Sequence, residues 1–291
     1  MSDGVRTIWP GAMQLGEGPV WDARAGLLWF VDIKKRQVHR LDPGSGDVAS
    51  WPAPAQVGWV LPAHGGALIA GLQTGLARFD PADGRFEHLA DVEPERPGNR
   101  LNDATVGPDG TIWFGSMDDG HEQPTGRVFR FDGTRVVATA IDPVPITNGP
   151  ALSPDGRTLY HVDTVGGVIH AIPIAEDGTT GEPRVFTTID PALGHPDGVS
   201  TDSAGNVWAA IWGGWCARLY APDGTLLGEV RLPAAQITKV ALGGADGRTA
   251  YATSARIGLD AEALAGQPDA GALFAFEVEV PGRALPPARL G

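Results

Sequence analysis

Pro108-Asp109-Gly110-Thr111-Ile112-Trp113-Phe114-Gly115 is a tight turn that runs directly into an aromatic, apolar strand. The pattern returns as Arg24-Ala25-Gly26-Leu27-Leu28-Trp29-Phe30-Val31-Asp32 and as Pro154-Asp155-Gly156-Arg157-Thr158-Leu159-Tyr160-His161. Two more copies are Ser203-Ala204-Gly205-Asn206-Val207-Trp208 and Ala245-Asp246-Gly247-Arg248-Thr249-Ala250-Tyr251. A weaker one, His64-Gly65-Gly66-Ala67-Leu68-Ile69, fills the gap between residues 32 and 108. Glycine accepts the positive φ such turns need, and the β-branched or aromatic run behind it favours extended backbone. The turn glycines stand at 26, 66, 110, 156, 205 and 247, which gives repeat lengths of 40, 44, 46, 49 and 42 residues.

A period in that range marks a repeat architecture. Behind each turn and strand lies a further alternating segment, at 38–43, 76–81, 128–133, 168–172, 217–220 and 273–276. Four strands in about 45 residues, six times over, predict an all-β chain folded as a six-bladed β-propeller with four-stranded antiparallel blades. A β-sandwich with accidental spacing is the competing arrangement. The whole chain, 1–291, reads as a single propeller domain, because no linker or composition shift divides it. Its last blade is expected to be closed by an N-terminal strand at 5–9. A short helix is expected at 260–265, in a connection of the sixth blade.

Acidic side chains outnumber basic ones by 35 to 22, for a net charge of −13, and no basic patch offsets this. A nucleic-acid partner is therefore excluded, and a small neutral molecule is the easier one. Cys216 is the one cysteine, so no intrachain disulfide is expected, as suits a reducing compartment. The N-terminus through Arg6 lacks a secretory apolar region, and no apolar run approaches the ~20 residues of a membrane span. A soluble, cytoplasmic protein with no membrane partner is expected, its oligomeric state open and a monomer allowed.

Asn102, Asn148 and Asp197 each precede a turn glycine by eight residues, and Glu17 precedes Gly26 by nine because its turn holds one extra residue. That register is the start of each blade's innermost strand, which lines the central channel. The six residues there are Glu17, Gly58, Asn102, Asn148, Asp197 and Lys239. Packing alone would place small apolar residues, yet five of the six are polar. Carboxylates forced together raise each other's pKa, and a divalent ion removes the repulsion while using their oxygens. Glutamate, aspartate and an asparagine carbonyl are oxygen donors, suited to Ca²⁺, Mg²⁺, Mn²⁺ or Fe²⁺, and Zn²⁺ also accepts carboxylates. Glu17 and Asn148 read as ligands, Asp197 and Asn102 as site residues. Asp103 is expected to face away from Asn102 by strand alternation. Arg100 shares the Asn102 face and either holds a substrate oxygen or forms a surface salt bridge. Lys239 either lines the channel or balances the acids, and His195 is a pocket wall or a solvated loop residue. Trp59, Trp212 and Trp215 are pocket walls or core.

Leu15-Gly16-Glu17-Gly18-Pro19, Asn99-Arg100-Leu101-Asn102-Asp103, Gly115-Ser116-Met117, Thr147-Asn148-Gly149, Ser153-Pro154-Asp155-Gly156 and Pro196-Asp197-Gly198 together resemble the SMP-30/gluconolactonase (regucalcin) family. The wording of Trp212-Gly213-Gly214 and Ile237-Thr238-Lys239 is similar to bacterial pentono- and xylonolactonases. The resemblance implies a six-bladed propeller with one divalent metal ion held by Glu17, Asn148 and Asp197, and substrate contacts from Arg100 and Asn102. Family members carry an acid soon after the Gly-Thr-Met-like string; here the aligned position is Gly120, and of the neighbouring acids Asp119 is the substrate-binding candidate beside Glu122. The implied activity is metal-dependent hydrolysis of a small neutral sugar lactone of the xylono-, arabinono- or gluconolactone type. Asp197 is the catalytic candidate, as general base. A phosphotriesterase or broad esterase, and a non-catalytic calcium-binding regulatory propeller, are the rival readings.

Overall fold

The computed structural model describes residues 4–290; residues 1–3, part of the stretch inspected above for a secretory leader, and residue 291 lie outside the described residues. All six turn glycines take the left-handed backbone that their turns demand, with φ between 70° at Gly26 and 85° at Gly205. Among the described residues the strands assemble into six antiparallel sheets of four, each built from strands consecutive in the chain except the last. The propeller expected from the spacing is the fold observed.

The innermost strands are Gly16–Asp22, Val57–Pro62, Asn99–Val106, Thr147–Leu152, His195–Thr201 and Ile237–Gly243, defining blades one to six. Each touches the next, and the sixth touches the first, so the ring is closed. In blade six, Arg6–Trp9 pairs antiparallel with Leu273–Glu277 and supplies the outer strand. The weak copy in blade two departs from a plain turn: His64–Gly66 forms a single 3₁₀ turn before the strand Leu68–Leu72. The helix is observed at Ala261–Gly266, where the Asp260 carboxylate accepts the Ala263 N–H at 2.8 Å and caps its first turn. No helix among the described residues is long and apolar enough to cross a membrane.

Alternation puts one face of each strand against the neighbouring blade, and those faces are aromatic. Phe114, fully buried, packs between Trp59 at 5.8 Å and Phe129 at 5.5 Å between ring centroids. Trp29, Trp51, Phe79 and Phe86 form a similar stack one interface earlier. Each such ring stabilises the stack by roughly 2–3 kcal/mol through burial alone. The channel-facing polar residues therefore do not have to hold the fold together.

Candidate functional site

Every inner strand breaks its hydrogen-bond ladder at the same depth. The pairing shifts between Glu17 and Val20, Val57 and Trp59, Leu101 and Ala104, Asn148 and Ala151, Pro196 and Val199, and Ile237 and Lys239. A bulge bends the strand and re-aims its side chains, and here it does so at the level of the candidate residues. It also revises their equivalence. Glu17 and Asn148 are the last paired residues before the irregularity, opposite Val31 and Val162, whereas Asn102 and Asp197 fall inside it. The cause is hairpin length: Val20 pairs with Trp29 and Ala151 with Tyr160, nine residues on, while Ala104 pairs with Phe114 and Val199 with Ala209, ten on. The spacing of eight shared by Asn102, Asn148 and Asp197 thus covers two ladder positions, and the bulge lets both reach one point.

That point is the floor of a cavity of about 530 Å³, lined by Glu17, Arg100, Asn102, Asp119, Asn148 and Asp197 alike. The six residues singled out in the sequence are brought together. Glu17, Arg100, Asn102, Asn148 and Asp197 are all buried, so each polar atom has few partners to choose from. Arg100 Nη1 donates to Asn102 Oδ1 at 2.6 Å, and Asn102 Nδ2 donates to Asn148 Oδ1 at 2.8 Å and to the Thr147 carbonyl at 2.7 Å. Asn148 Nδ2 donates to Thr164 Oγ1 at 2.9 Å. The chain of amides fixes the Asn148 side chain and leaves its carbonyl oxygen, which accepts one hydrogen bond, with a second lone pair. Blade one is anchored by Asp32, which is buried and accepts the N–H groups of Gln14 and Leu15 at 2.8 and 3.2 Å, fixing the entry to the Glu17 strand.

Electrostatics divides the site in two. Burial, then the neighbouring Asp103, pushes Glu17 up to about 8, against partial relief from the Gly18 N–H, Lys239 and Arg100. Burial, then Glu17 and Asp103, raises Asp197 well above its ordinary value. Asp197 Oδ1 is buried without a hydrogen-bond partner, a rare state for a carboxylate oxygen. Among the described residues no three His, Cys, Asp or Glu side chains gather as a metal cluster; the set here is two carboxylates completed by an amide oxygen. Two repelling carboxylates, an orphan oxygen and an all-oxygen donor set fit a divalent cation held by Glu17, Asn148 and Asp197.

The opposite wall is ionic and already paired. Asp119 Oδ1 accepts from Lys34 Nζ at 2.6 Å and from Arg100 Nε at 2.7 Å, and Oδ2 accepts from Gln56 Nε2 at 2.8 Å. Burial raises its carboxyl, but these three donors together hold it well below the usual range. Arg100 is therefore in an ion pair, though a buried one and not the surface bridge considered above. Of the two acids beside Gly120, Asp119 lines the cavity and the exposed Glu122 does not. His195 and Trp212 line the wall, while Trp59 is core and Trp215 lies outside the cavity. Asp103 does not face away: the bulge carries it into the channel, where it pairs with Lys239 at 2.5 Å. Cys216 is buried and its thiol is pushed up to about 12 by burial and Glu229, which removes it as a nucleophile. Sequence reading missed Lys34 and His121 in the cavity, and Gln56, which bonds Asp119 from outside its lining. Nothing local separates Lys34 from Lys35, which turns instead to the Ala12 carbonyl.

A family model described as SMP-30/Gluconolactonase/LRE-like region matches residues 15–256. The chain is 36% identical to a 6-deoxy-6-sulfogluconolactonase of Pseudomonas putida over 94% of each chain. It is also 36% identical to an L-arabinolactonase of Azospirillum brasilense, over 93% of this chain and 90% of that one. In three dimensions it resembles the calcium-binding protein regucalcin of Agrobacterium tumefaciens, with a TM-score of 0.95 at 30% identity, covering 99% of this chain and 98% of the other.

Proposed function

The chain belongs to the SMP-30/gluconolactonase/LRE-like family, and from that membership and its cavity we propose that it hydrolyses a sugar lactone to the open-chain aldonic acid with the help of one divalent metal ion. The observation that carries this reading is the convergence of Glu17, Asn148 and Asp197, with one orphan carboxylate oxygen, on the floor of a cavity whose other wall offers Arg100 and Asn102. A volume of about 530 Å³ accommodates a pentose or hexose lactone ring.

Glu17, Asn148 and Asp197 are the residues that would hold the ion. When bound, such an ion supplies a Lewis acid for the lactone carbonyl and for the charge that develops on its oxygen. Asp197 accepts a proton from the attacking water as the new C–O bond forms, and returns it to the ring oxygen as the lactone C–O bond breaks. Asn102 is held rigidly by Asn148, Thr147 and Arg100, so it orients ring hydroxyls at little further entropic cost. Asp119 acts by fixing Arg100 and Lys34 at the wall, and its oxygens are occupied by those donors. Relatives named for arabinolactone and sulfogluconolactone hydrolysis support a xylono-, arabinono- or gluconolactone-type substrate, in cytoplasmic sugar catabolism.

The test is metal-depleted enzyme with Ca²⁺, Mn²⁺, Mg²⁺, Fe²⁺ and Zn²⁺ restored singly, assayed for acid release from a lactone panel above the spontaneous rate. Turnover should appear only with a restored ion, and Asp197→Asn should lower it by roughly 10³-fold or more. Hydrolysis of organophosphates or aryl esters in preference to lactones would point to the esterase reading. Tight Ca²⁺ binding without any turnover would point to a regulatory protein.

A further inference from the structure

Asp103 in blade three and Lys239 in blade six stand across the channel from one another, and their side chains meet over the axis. Lys239 Nζ lies 2.5 Å from Asp103 Oδ1 and 3.2 Å from the Ala104 carbonyl oxygen. The two side chains are 1% and 7% exposed, Asp103 being the more buried. A glycine makes room for the lysine: a Cβ on Gly198 would sit 2.7 Å from both Cβ and Cγ of Lys239. Lys239 therefore packs directly against the residue that follows Asp197.

Such a pair is expensive to bury, and well-packed apolar side chains often stabilise a core as well or better. The aromatic interfaces between blades already supply the packing. The pair is also incompletely satisfied, since Asp103 Oδ2 is buried without a partner. It nonetheless adjoins the cavity floor from both sides: Asp103 follows Asn102, whose amide bonds Asn148, and Lys239 packs on Gly198, which follows Asp197. Glu17, Asp103 and Asp197 are three carboxylates and Lys239 one ammonium, leaving two negative charges in the channel. The next cations, Arg100 and Lys34, share the single carboxylate of Asp119, so the wall beside this set keeps one net positive charge. Two negative charges are neutralised by one dication.

We propose that Asp103 and Lys239 are a charge-setting pair of positioning residues: they hold the channel at the net charge that one divalent ion neutralises, and so set the ion affinity of Glu17, Asn148 and Asp197. This rests on reading those three residues as the metal donors. Lys239 attenuates the field of three carboxylates, and Asp103 gives its buried ammonium a partner.

The experiment is calorimetric titration of metal-depleted protein with Ca²⁺ and with Mn²⁺, in the wild type and three variants. Lys239→Met adds one net negative charge, Asp103→Asn removes one, and the double variant restores the original net charge with a neutral pair. Lys239→Met should bind each ion more tightly and Asp103→Asn more weakly, each on the order of tenfold or more. The double variant should return to within a few-fold of the wild type. A purely structural role would loosen the site in both single variants, so opposite signs are the diagnostic result. Tighter binding that fails to appear in Lys239→Met, or a double variant that stays as weak as Asp103→Asn, would overturn the proposal. If Lys239→Met does not fold, the comparison of Asp103→Asn with the double variant decides it alone. Wild-type protein that binds neither ion would sink the metal reading and this proposal together; wild-type binding with all variants alike would sink only this one.

Discussion

Glu17 and Asp197 keep two carboxylates where burial and neighbouring carboxylates disfavour their charge, and that has a measurable consequence in the metal-free protein. An acid whose folded pKa is raised takes up protons on folding, so its contribution to stability is present at low pH and is lost as pH rises through the folded pKa. For Glu17 the window runs from 4.5 to about 8. Thermal melts of metal-depleted protein should show a lower midpoint at pH 8 than at pH 5.5, and a saturating divalent ion should reduce or abolish the difference. Equal midpoints without metal would show that folding does not raise these carboxyls. At pH 6 ion binding should also release protons, since the donors must ionise to bind. At this scale much of the site was legible in the sequence, because Glu17, Asn102, Asn148 and Asp197 recur at a countable distance from a turn. Lys34 and Gln56 were not, since they reach Asp119 from connections whose direction depends on the neighbouring blade.

The inner strands show where counting fails. Strict alternation sends Asp103 away from Asn102, but a bulge occupies that very pair of residues and places both in the channel. Period two holds only while the ladder is regular. Blade two presents the complementary case: Gly58 has no side chain because the backbone of blade three takes the space. A Cβ there would lie 2.6 Å from the Leu101 carbonyl oxygen and 2.7 Å from that of Asn102. Neither contact can be relieved by a side-chain rotation, so Gly58→Ala is expected to destabilise by ~1–3 kcal/mol. The displaced Leu101–Asn102 backbone should also raise KM more than it changes ion affinity. Chemical denaturation and steady-state kinetics check both; an alanine variant of wild-type stability would mean that the blades separate more easily than their packing implies.

Round the ring, hydroxyls join one blade to the next. Thr147 Oγ1 donates to the Ser116 carbonyl at 2.7 Å, Thr201 Oγ1 to that of Leu152 at 2.7 Å, and Thr238 Oγ1 to that of Gly16 at 2.6 Å, the last across the closure. Blade six depends on Arg6–Trp9 for its outer strand. Removing residues 1–9 would leave the edge of Leu273–Glu277 open, and exposed edges invite pairing with other chains. The truncated protein should melt at least about 5 °C lower and aggregate on heating. An unchanged midpoint would mean that the remaining strands close the ring unaided.

The repeat, the number of blades and the identity of the polar residues at the channel are written in the amino-acid order, because all of these follow from turn chemistry and from local spacing. Tertiary structure decided how they act together. The six bulges, the hairpins of unequal length and the pairing of Asp103 with Lys239 across the axis bring residues from different blades to one place. The burial that leaves Asp197 Oδ1 without a partner belongs to the closed ring in the same way. Distances between residues more than a hundred positions apart are set by ring closure, and no local pattern encodes them.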